Sequence, residues 1–217
     1  MIKLIERIKH KIKRKRRKYL RRQCDRQFKA HFDELKAGDI VIDCGANLGV
    51  FTDSMSAKGA TVYAFEPDPY AFARLTEAVA NRPNVILRQA AVGASEGVVT
   101  LYRAPNFDAE PDLLSQSSSV FADKVNIDQS VSFEVPQVDL AAFISGLPDR
   151  VKLLKIDIEG AEVPVLEALL DSGAINRVDK AFVETHETRI PSLVPRTEAL
   201  RARIARECPK RVNLYWI

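Results

Sequence analysis

A glycine-bearing turn preceded by an acid follows the first apolar run of the sequence. The turn extends from Asp43 to Gly49 and reads DCGANLG. Gly45 would let the backbone approach a ligand, Gly49 would allow close helix packing, and Asn47 serves either as a ligand contact or as a turn residue. A dinucleotide site needs a third glycine, in the pattern G-x-G-x-x-G, to bring a pyrophosphate onto a helix N-terminus. This turn lacks that glycine, and Asp43 would repel a pyrophosphate but would suit a sulfonium or ammonium cation.

A second acid, Glu66, follows Asp43 by 23 residues and ends the next predicted strand, with Pro67 beside it. A carboxylate at this spacing accepts hydrogen bonds from both ribose hydroxyls of a bound nucleoside. The alternative is a surface acid after a strand that Pro67 ends. Because the acid and the turn occur together, we predict a site for S-adenosylmethionine, to which Glu66 and Pro67 both contribute.

A third group of charged residues stands where a later predicted strand meets a helix. Lys155 and Asp157 alternate with isoleucines, so they share one face of the strand, and Lys155 is the expected partner of Asp157. Asp157 borders the cofactor site and is the first candidate for the base that deprotonates a hydroxyl during methyl transfer. Glu159 is a further catalytic candidate and Glu162 a candidate acceptor contact, although acids at a helix N-terminus also serve as caps.

His186 follows Glu184 at the end of another predicted strand. Parallel strands end at the same edge of a sheet, so Asp157, Glu184 and His186 are expected to converge there. Glu184 would contact the acceptor, and His186 would either take the proton or serve the structure alone. The three side chains also form a candidate site for a divalent metal that holds a sugar diol, but no metal is expected.

Strand-like and helix-like runs alternate from residue 40 onward, which predicts an α/β fold of the Rossmann-like kind, a mostly parallel sheet between layers of helices. The predicted strands are 39–43, 61–65, 85–91, 97–103, 131–138, 151–156, 180–184 and 212–217, and the predicted helices are 49–58, 69–80, 162–171 and 196–207. The alternation stops after the third strand, where a long polar stretch predicts an inserted β-hairpin with a lid. Ser118 and Ser119 lie in this lid and are candidate acceptor contacts.

These motifs together resemble those of the FkbM family of methyltransferases over residues 38–217. They are VIDCGANLG at 41–49, FEP at 65–67, AVG at 91–93, SSS at 117–119, LLKIDIEGAE at 153–162 and FVETHE at 182–187. The resemblance implies a class I Rossmann-like enzyme that methylates oxygen, often on sugars or polyketide-type products. It also implies that Ala91 lies near the adenine and that residues 157–162 border the acceptor. The residues it implies as cofactor contacts are Asp43, Gly45, Asn47, Gly49 and Glu66.

The segment after the predicted strand 151–156 favours oxygen as the methylated atom. Enzymes that methylate amino groups use an Asn/Asp-Pro-Pro-aromatic tetrad there, whereas this sequence has the run from Asp157 to Gly160, DIEG. We therefore expect a hydroxyl acceptor on a sugar, a glycan or a related small molecule. The alternatives are a nucleic-acid methyltransferase and a non-catalytic cofactor-binding protein at a membrane, the second of which has little use for several carboxylates around a pocket.

Charge is distributed unevenly along the chain. Residues 1–22 hold 12 of the 33 Lys and Arg but one of the 29 Asp and Glu, so the remainder is net acidic. With Ile2, Ile5, Ile8 and Ile12 at helical spacing, residues 1–37 are predicted to form a basic amphipathic extension of a catalytic domain at 38–217. An anionic membrane surface is the favoured partner of residues 1–22, and a solvated extension is the alternative. Nucleic acid is disfavoured because no aromatic platform accompanies the charges.

The three cysteines are scattered, the sequence has no run of roughly 20 apolar residues, and its start is highly charged. Together these features predict a protein of the reducing cytoplasm. The basic segment would place it at the inner face of the membrane. The sequence leaves the oligomeric state open.

Overall fold

The computed structural model describes the backbone of residues 2–216 and the side chains of residues 15–216. The helices are α1 (Ile2–Asp33), α2 (Val50–Ser56), α3 (Pro69–Ala78), α4 (Pro111–Leu114), α5 (Leu140–Gly146), α6 (Glu162–Asp171) and α7 (Val194–Glu207). The strands are β1 (Ile40–Cys44), β2 (Thr61–Phe65), β3 (Val85–Arg88), β4 (Ala91–Gly93), β5 (Gly97–Arg103), β6 (Asp128–Asp139), β7 (Val151–Ile156), β8 (Val178–Val183) and β9 (Val212–Asn213).

Six of the strands form one parallel sheet in the order β3-β2-β1-β7-β8-β9. The chain builds outward from β1 to β3 and then crosses to β7 on the other side of β1. This is the doubly wound order, whose direction reverses between β1 and β7. The carboxyl ends of these two strands therefore flank the crevice in which such sheets bind ligands.

Both faces of this sheet are covered, as the predicted Rossmann-like fold requires. Ile42, Leu154 and Ile156 point to the face that packs against α5, α6 and α7. Val41 and Leu153 point to the opposite face, which packs against α1 and α2. Alternate residues of one strand point to opposite faces, so strands buried on both sides consist of nearly continuous apolar residues. Burying each large aliphatic side chain contributes about 1.5 to 3 kcal/mol to stability.

The inserted hairpin is present, and two predicted strands differ substantially from the observed ones, while three others differ by one to three residues at their ends. The predicted strand 85–91 is divided, because the chain leaves the six-stranded sheet after Arg88 and Ala91 begins β4 in a second sheet, of order β4-β6-β5. The predicted closing strand 212–217 ends at Asn213, because the Asn213 Oδ1 atom accepts a hydrogen bond from the Tyr215 backbone nitrogen at 3.1 Å and turns the chain. The lid lies between β5 and β6 and contains α4.

Helix α1 is joined to the body of the protein through its second half. Cys24 is fully buried, and Phe28 and Phe32 pack against the α1-facing side of the sheet. The predicted stripe of Ile2, Ile5, Ile8 and Ile12 lies outside the described side chains, although their backbone belongs to α1. None of the helices in the described residues has an apolar stretch long enough to cross a membrane.

Candidate active site

The glycine turn after β1 lies directly against the end of β7. Gly45 has a φ of +78°, and a Cβ atom there would lie 1.8 Å from the Asp157 carbonyl oxygen. Gly49 has a φ of +90°, and a Cβ atom there would lie 2.8 Å from the Leu75 Cδ1 atom of α3. Glycine is therefore required at both positions, at the first by the approach of another backbone and at the second by a neighbouring helix.

Asp43 lies beneath this turn and is fully buried. Its carboxylate accepts a hydrogen bond from Thr52 Oγ1 at 2.7 Å and lies 3.0 Å from Lys155 Nζ, which also donates to the Gly45 carbonyl oxygen at 2.6 Å. Lys155 thus pairs with Asp43, because the two residues are register partners across β1 and β7. The sequence suggested Asp157 as its partner. Burial opposes the charge on Lys155, but the Asp43 carboxylate raises the pKa of Lys155 above its usual value.

Glu66, at the end of β2, is buried and bound by two backbone groups. Its Oε2 accepts a hydrogen bond from the Asn47 nitrogen at 2.8 Å, and its Oε1 accepts one from the Asp68 nitrogen at 2.9 Å. Burial raises the pKa of Glu66 to about 7, although both hydrogen bonds lower it. A carboxylate offers about four lone-pair sites, so acceptor capacity remains for a diol.

A cavity of about 690 Å³ opens over the carboxyl ends of β1, β2 and β7. The predicted site residues on its wall are Gly45, Asn47, Glu66, Pro67, Ala91, Ser118, Lys155, Asp157, Glu159 and Glu184. The remaining predicted residues, which lie behind the wall, are Asp43, Gly49, Ser119, Glu162 and His186. The wall also contains many apolar residues, among them Ala90, Val92, Leu101, Leu113, Leu114 and Val120. A cavity with a largely apolar lining and a few convergent polar groups is typical of a small-molecule site.

His186 lies behind the acidic segment after β7 and is held between two carboxylates. Its Nδ1 lies 2.8 Å from Glu162 Oε1, and its Nε2 lies 3.4 Å from Glu159 Oε2. Burial alone would lower the pKa of His186, but the hydrogen bonds to Glu159 and Glu162 raise it to about 10. The ring is therefore an imidazolium at neutral pH, and it has no lone pair with which to take a proton from an acceptor.

Glu162 organises the turn that precedes α6. Its carboxylate accepts hydrogen bonds from the Ile158 nitrogen at 3.2 Å and from the Gly160 nitrogen at 3.1 Å. Both donors precede the helix, so these bonds hold the turn together and do not cap α6 as the sequence suggested. Glu159 has a φ of +55°, an uncommon conformation for a residue with a side chain, and the turn holds it there.

Lys124, in the lid, is a site residue that sequence inspection missed. Its buried Nζ lies 2.6 Å from Glu159 Oε2 and donates to the Ser117 carbonyl oxygen at 2.6 Å. Arg189 approaches the same carboxylate oxygen at 3.5 Å. Burial would raise the pKa of Glu159, but the hydrogen bond from His186 and the charge of Lys124 lower it. A single lysine in a polar stretch has no sequence pattern that distinguishes it from a surface lysine.

Asp157 and Glu184 are the acids on the cavity wall with the weakest pairing. A carboxylate oxygen of each lies 3.8 Å from His186 Nε2, and their side chains are 29% and 22% exposed. Burial raises the pKa of both carboxyl groups. Both therefore hold a proton more tightly than a surface acid does, which suits a base or a hydroxyl-binding group.

The possible metal ligands that lie together in the structure differ from those that the sequence suggested. Ligand atoms of Asp157, Glu162 and His186 lie within 4.8 Å of one another, with Glu162 in the place of the predicted Glu184. Glu162 is already engaged by the Ile158 and Gly160 nitrogens and lies 2.8 Å from His186 Nδ1. These hydrogen bonds compete with metal ligation for the same lone pairs.

The lid is attached to the site by polar contacts. Ser119 is buried, and its Oγ donates to the Glu159 carbonyl oxygen at 2.6 Å. Ser115, also on the lid, donates to Asn47 Oδ1 at 3.0 Å. At the base of the lid the Arg103 guanidinium binds both carboxylate oxygens of Asp68, at 2.8 and 2.9 Å. The lid therefore completes the cavity above the glycine turn.

The doubly wound sheet, with its cavity at the reversal point between β1 and β7, defines a Rossmann-like domain of the class I methyltransferase fold. The Methyltransferase FkbM domain matches residues 43–212. The chain therefore belongs to the FkbM methyltransferase family, as the sequence motifs predicted.

Several relatives are similar to the chain over most of its length. "Methyltransferase 1" of Beauveria bassiana is 30% identical and "Hexuronic acid methyltransferase AglP" of Haloferax volcanii is 28% identical, over 69% and 71% of the chain. "31-O-demethyl-FK506 methyltransferase FkbM" of Streptomyces tacrolimicus is 32% identical over 75% of the chain and 71% of its own length. The matches cover 65% of the Beauveria protein and 59% of the Haloferax protein.

Proposed function

We propose that this chain binds S-adenosylmethionine in the cavity and methylates a hydroxyl oxygen of a sugar, glycan or related small molecule. The observation that carries this proposal is the arrangement of two acids on one cavity wall. Glu66 is fixed by backbone hydrogen bonds beside the glycine turn, and Asp157 faces the same cavity from the end of β7. The first suits the ribose of the methyl donor, and the second suits the acceptor hydroxyl.

Different residues of the cavity bind different parts of the methyl donor. Glu66 accepts hydrogen bonds from the ribose hydroxyls, and apolar residues of the wall that include Ala91 receive the adenine. Gly45 and Asn47 line the path toward the amino-acid end. Asp43 acts there through Lys155, whose Nζ lies 3.0 Å from the Asp43 carboxylate and donates a hydrogen bond to the Gly45 carbonyl oxygen. The donor supplies a methyl group bound to a cationic sulfur. When the methyl group is transferred, this sulfur becomes a neutral thioether.

Asp157 accepts the proton of the acceptor hydroxyl as the oxygen attacks the methyl carbon. Its raised pKa brings its proton affinity closer to that required at neutral pH, and a positioned base contributes about 10² to 10⁴ in rate. His186 remains protonated and holds Glu159 and Glu162 in place, so we assign it a positioning role. Glu184 binds a second hydroxyl of the acceptor, which gives the site a preference for polyols.

The acceptor class has support from a relative as well as from the site. The Haloferax relative is named a hexuronic acid methyltransferase, so a related chain acts on a sugar acid. Two weakly paired carboxylates in one wall are well suited to adjacent sugar hydroxyls, because each oxygen accepts hydrogen bonds and donates none.

Transfer of labelled methyl groups tests this function. The protein is incubated with methyl-labelled S-adenosylmethionine and separate fractions of glycans, lipids and RNA, and we expect label in the glycan or sugar-lipid fraction. Label confined to RNA would establish the rival nucleic-acid activity. Donor binding without transfer to any fraction would favour a non-catalytic role.

An Asp157→Asn variant tests the base. It should bind S-adenosylhomocysteine with nearly wild-type affinity and lose at least about 100-fold in kcat. A Glu167→Gln variant is the control, because Glu167 pairs with Arg196 on the outer side of α6, away from the cavity wall. Full turnover in Asp157→Asn would remove this residue as the base.

We further propose that residues 1–22 bind an anionic membrane surface and bring the site to acceptors there. Support comes from the 12 Lys and Arg in this segment, each of which contributes about 1 kcal/mol close to such a surface. Vesicles with and without anionic lipid are sedimented with the wild type and with a variant whose Lys and Arg at 3–18 are Gln. Substitution is preferable to a long deletion, because Cys24 and Phe28 of the same helix pack on the body. Equal binding of both proteins to anionic vesicles would overturn this proposal.

A further inference from the structure

The cavity has an aromatic wall that lies partly outside the region that matches the family. Phe51, in the first turn of α2, and Trp216 both line the cavity, and their ring centroids lie 5.1 Å apart in an edge-to-face arrangement. Trp216 follows the matched residues 43–212. It is the one tryptophan in the sequence, and the motif analysis assigned it no role.

Helix α1 holds this wall from behind. The Phe28 ring centroid lies 5.8 Å from that of Phe51 and 5.5 Å from that of Trp216, and it meets Phe182 of β8 at 5.2 Å. Gln27, one residue earlier, accepts a hydrogen bond from Asn213 Nδ2 at 3.0 Å. Residues 213–216 are therefore attached to α1 as well as to the sheet, and Phe28 lies at the centre of the aromatic group.

The wall is placed at the end of the cavity next to the glycine turn. Lys155 Nζ, which donates to the Gly45 carbonyl oxygen, lies 5.7 Å from the centroid of the Phe51 ring and 5.5 Å from that of the Trp216 ring. The turn is where the amino-acid end of the methyl donor binds in the proposed function. Lys155 is itself a cation over both rings, and the Asp43 carboxylate, 3.0 Å from its Nζ, balances its charge. Aromatic rings attract cations through their negative faces, so rings beside this neutral ion pair suit a sulfonium or an ammonium group.

We infer that Phe51 and Trp216 form a subsite for the cationic amino-acid end of the donor, and that Phe28 of α1 is the positioning residue that holds these rings in place. This inference rests on the proposed function, since it places the donor in the cavity. It also gives α1 a second role, because the helix with the basic segment at its start supports the donor site with its second half. The donor site thus extends beyond residues 43–212 on both sides.

Tryptophan fluorescence measures this subsite directly, because all of the tryptophan signal comes from Trp216. The full chain is titrated with S-adenosylhomocysteine and with S-adenosylmethionine, and calorimetry measures the same affinities independently. We expect a saturable change in fluorescence whose midpoint equals the calorimetric dissociation constant. We also expect tighter binding of S-adenosylmethionine, which has the sulfonium, than of S-adenosylhomocysteine, which lacks it.

Variants on α1 separate positioning from general stability. Phe28→Leu keeps an apolar side chain but removes the ring contacts, and it should weaken S-adenosylmethionine binding about tenfold. Tyr19→Leu, at an exposed position on the same helix, should bind as the wild type does. Calorimetry on Trp216→Ala and Trp216→Phe adds a second comparison, in which Phe should restore most of the affinity that Ala loses. Thermal unfolding of each variant confirms that the fold is retained.

The outcomes distinguish this inference from the function on which it rests. Two outcomes would overturn the subsite and leave the donor site intact. One is normal calorimetric binding by the wild type without a change in fluorescence, and the other is an unchanged affinity in Phe28→Leu and Trp216→Ala. No binding of either ligand by the wild type would overturn both the proposed function and the subsite.

Discussion

The affinity for the methyl donor should increase as the pH rises from 6 to 8, because Glu66 must be ionised to accept both ribose hydroxyls. Burial raises the pKa of Glu66 to about 7 in the protein without ligand. A protonated carboxyl group has a donor where an acceptor is needed, so a proton must leave before the ribose is bound in full. Ribose hydroxyls that donate to the carboxylate lower its pKa, so ligand binding and ionisation favour each other.

The expected size of this effect follows from the pKa. With a pKa of about 7, the ionised fraction of Glu66 is about one tenth at pH 6 and about nine tenths at pH 8. If only the ionised form binds, the apparent affinity increases about tenfold over this range. The affinity increases with pH because the pKa of Glu66 is shifted upward. An acid whose pKa is raised releases its proton only as the pH passes through that higher value.

Calorimetry with S-adenosylhomocysteine at pH 6, 7 and 8, at constant ionic strength, measures the dependence. Repetition in two buffers with different ionisation enthalpies counts the protons released, and we expect nearly one per ligand at pH 6. Glu66→Gln should bind more weakly and with little dependence on pH. Glu77→Gln alters an acid that is 67% exposed and should retain the wild-type slope. An affinity independent of pH in the wild type, or an equal slope in Glu66→Gln, would refute the ribose assignment.

Three further predictions concern the structure around the site. Gly45→Ala should cost at least about 4 kcal/mol of unfolding free energy, because its Cβ atom would lie 1.8 Å from a backbone oxygen, and urea unfolding measures this. Lys124→Met should cost about 3 kcal/mol, since it removes a cation that is paired with Glu159 in a buried place, and limited proteolysis should show faster cleavage of the lid. His186→Gln should remove a stability contribution that is full below pH 6.5 and is lost as the pH rises toward 10, seen in urea unfolding between pH 7 and 9.5.

The first two of these changes have matched control variants. Gly38→Ala meets no atom within 4 Å at a similar φ of +91°, so it should cost about 1 to 2 kcal/mol, and an equal loss in Gly45→Ala would contradict the clash. Lys29→Met removes an exposed ion pair and should change stability by less than about 1 kcal/mol. If stability depends on pH in His186→Gln as it does in the wild type, the His186 ring of the wild type is not held as an imidazolium.

The sequence was sufficient for the order along the chain of the strands in the six-stranded sheet, but α5, which packs on that sheet, was not predicted. The apolar runs of β1, β2 and β7, each followed by a turn and a helical pattern, predict parallel strands, because a buried strand and its covering helix have different periods. The glycine turn, Glu66 and the acids after β7 are each local in sequence, so their places at strand ends were predicted with them. The divided strand at 85–91 was not predicted, since β4 is selected by pairing with the distant β6.

The pairing of charges depended on tertiary structure. From the sequence Lys155 was matched with Asp157, two residues away, whereas its partner is Asp43, which faces it across neighbouring strands. The protonated state of His186 follows from two carboxylates brought together by the turn before α6, and the lid lysine Lys124 is added from elsewhere in the chain.

The sequence by itself thus determined the class of fold, the family and the strand ends that carry the site, because each is encoded by short runs of neighbouring residues. Only the tertiary structure decided which carboxylates are paired, which acids are on the cavity wall, and that Phe28 packs behind the wall formed by Phe51 and Trp216. These depend on distances between residues far apart in the chain. No local pattern records them, since burial and the approach of other charges set the ionisation of each group.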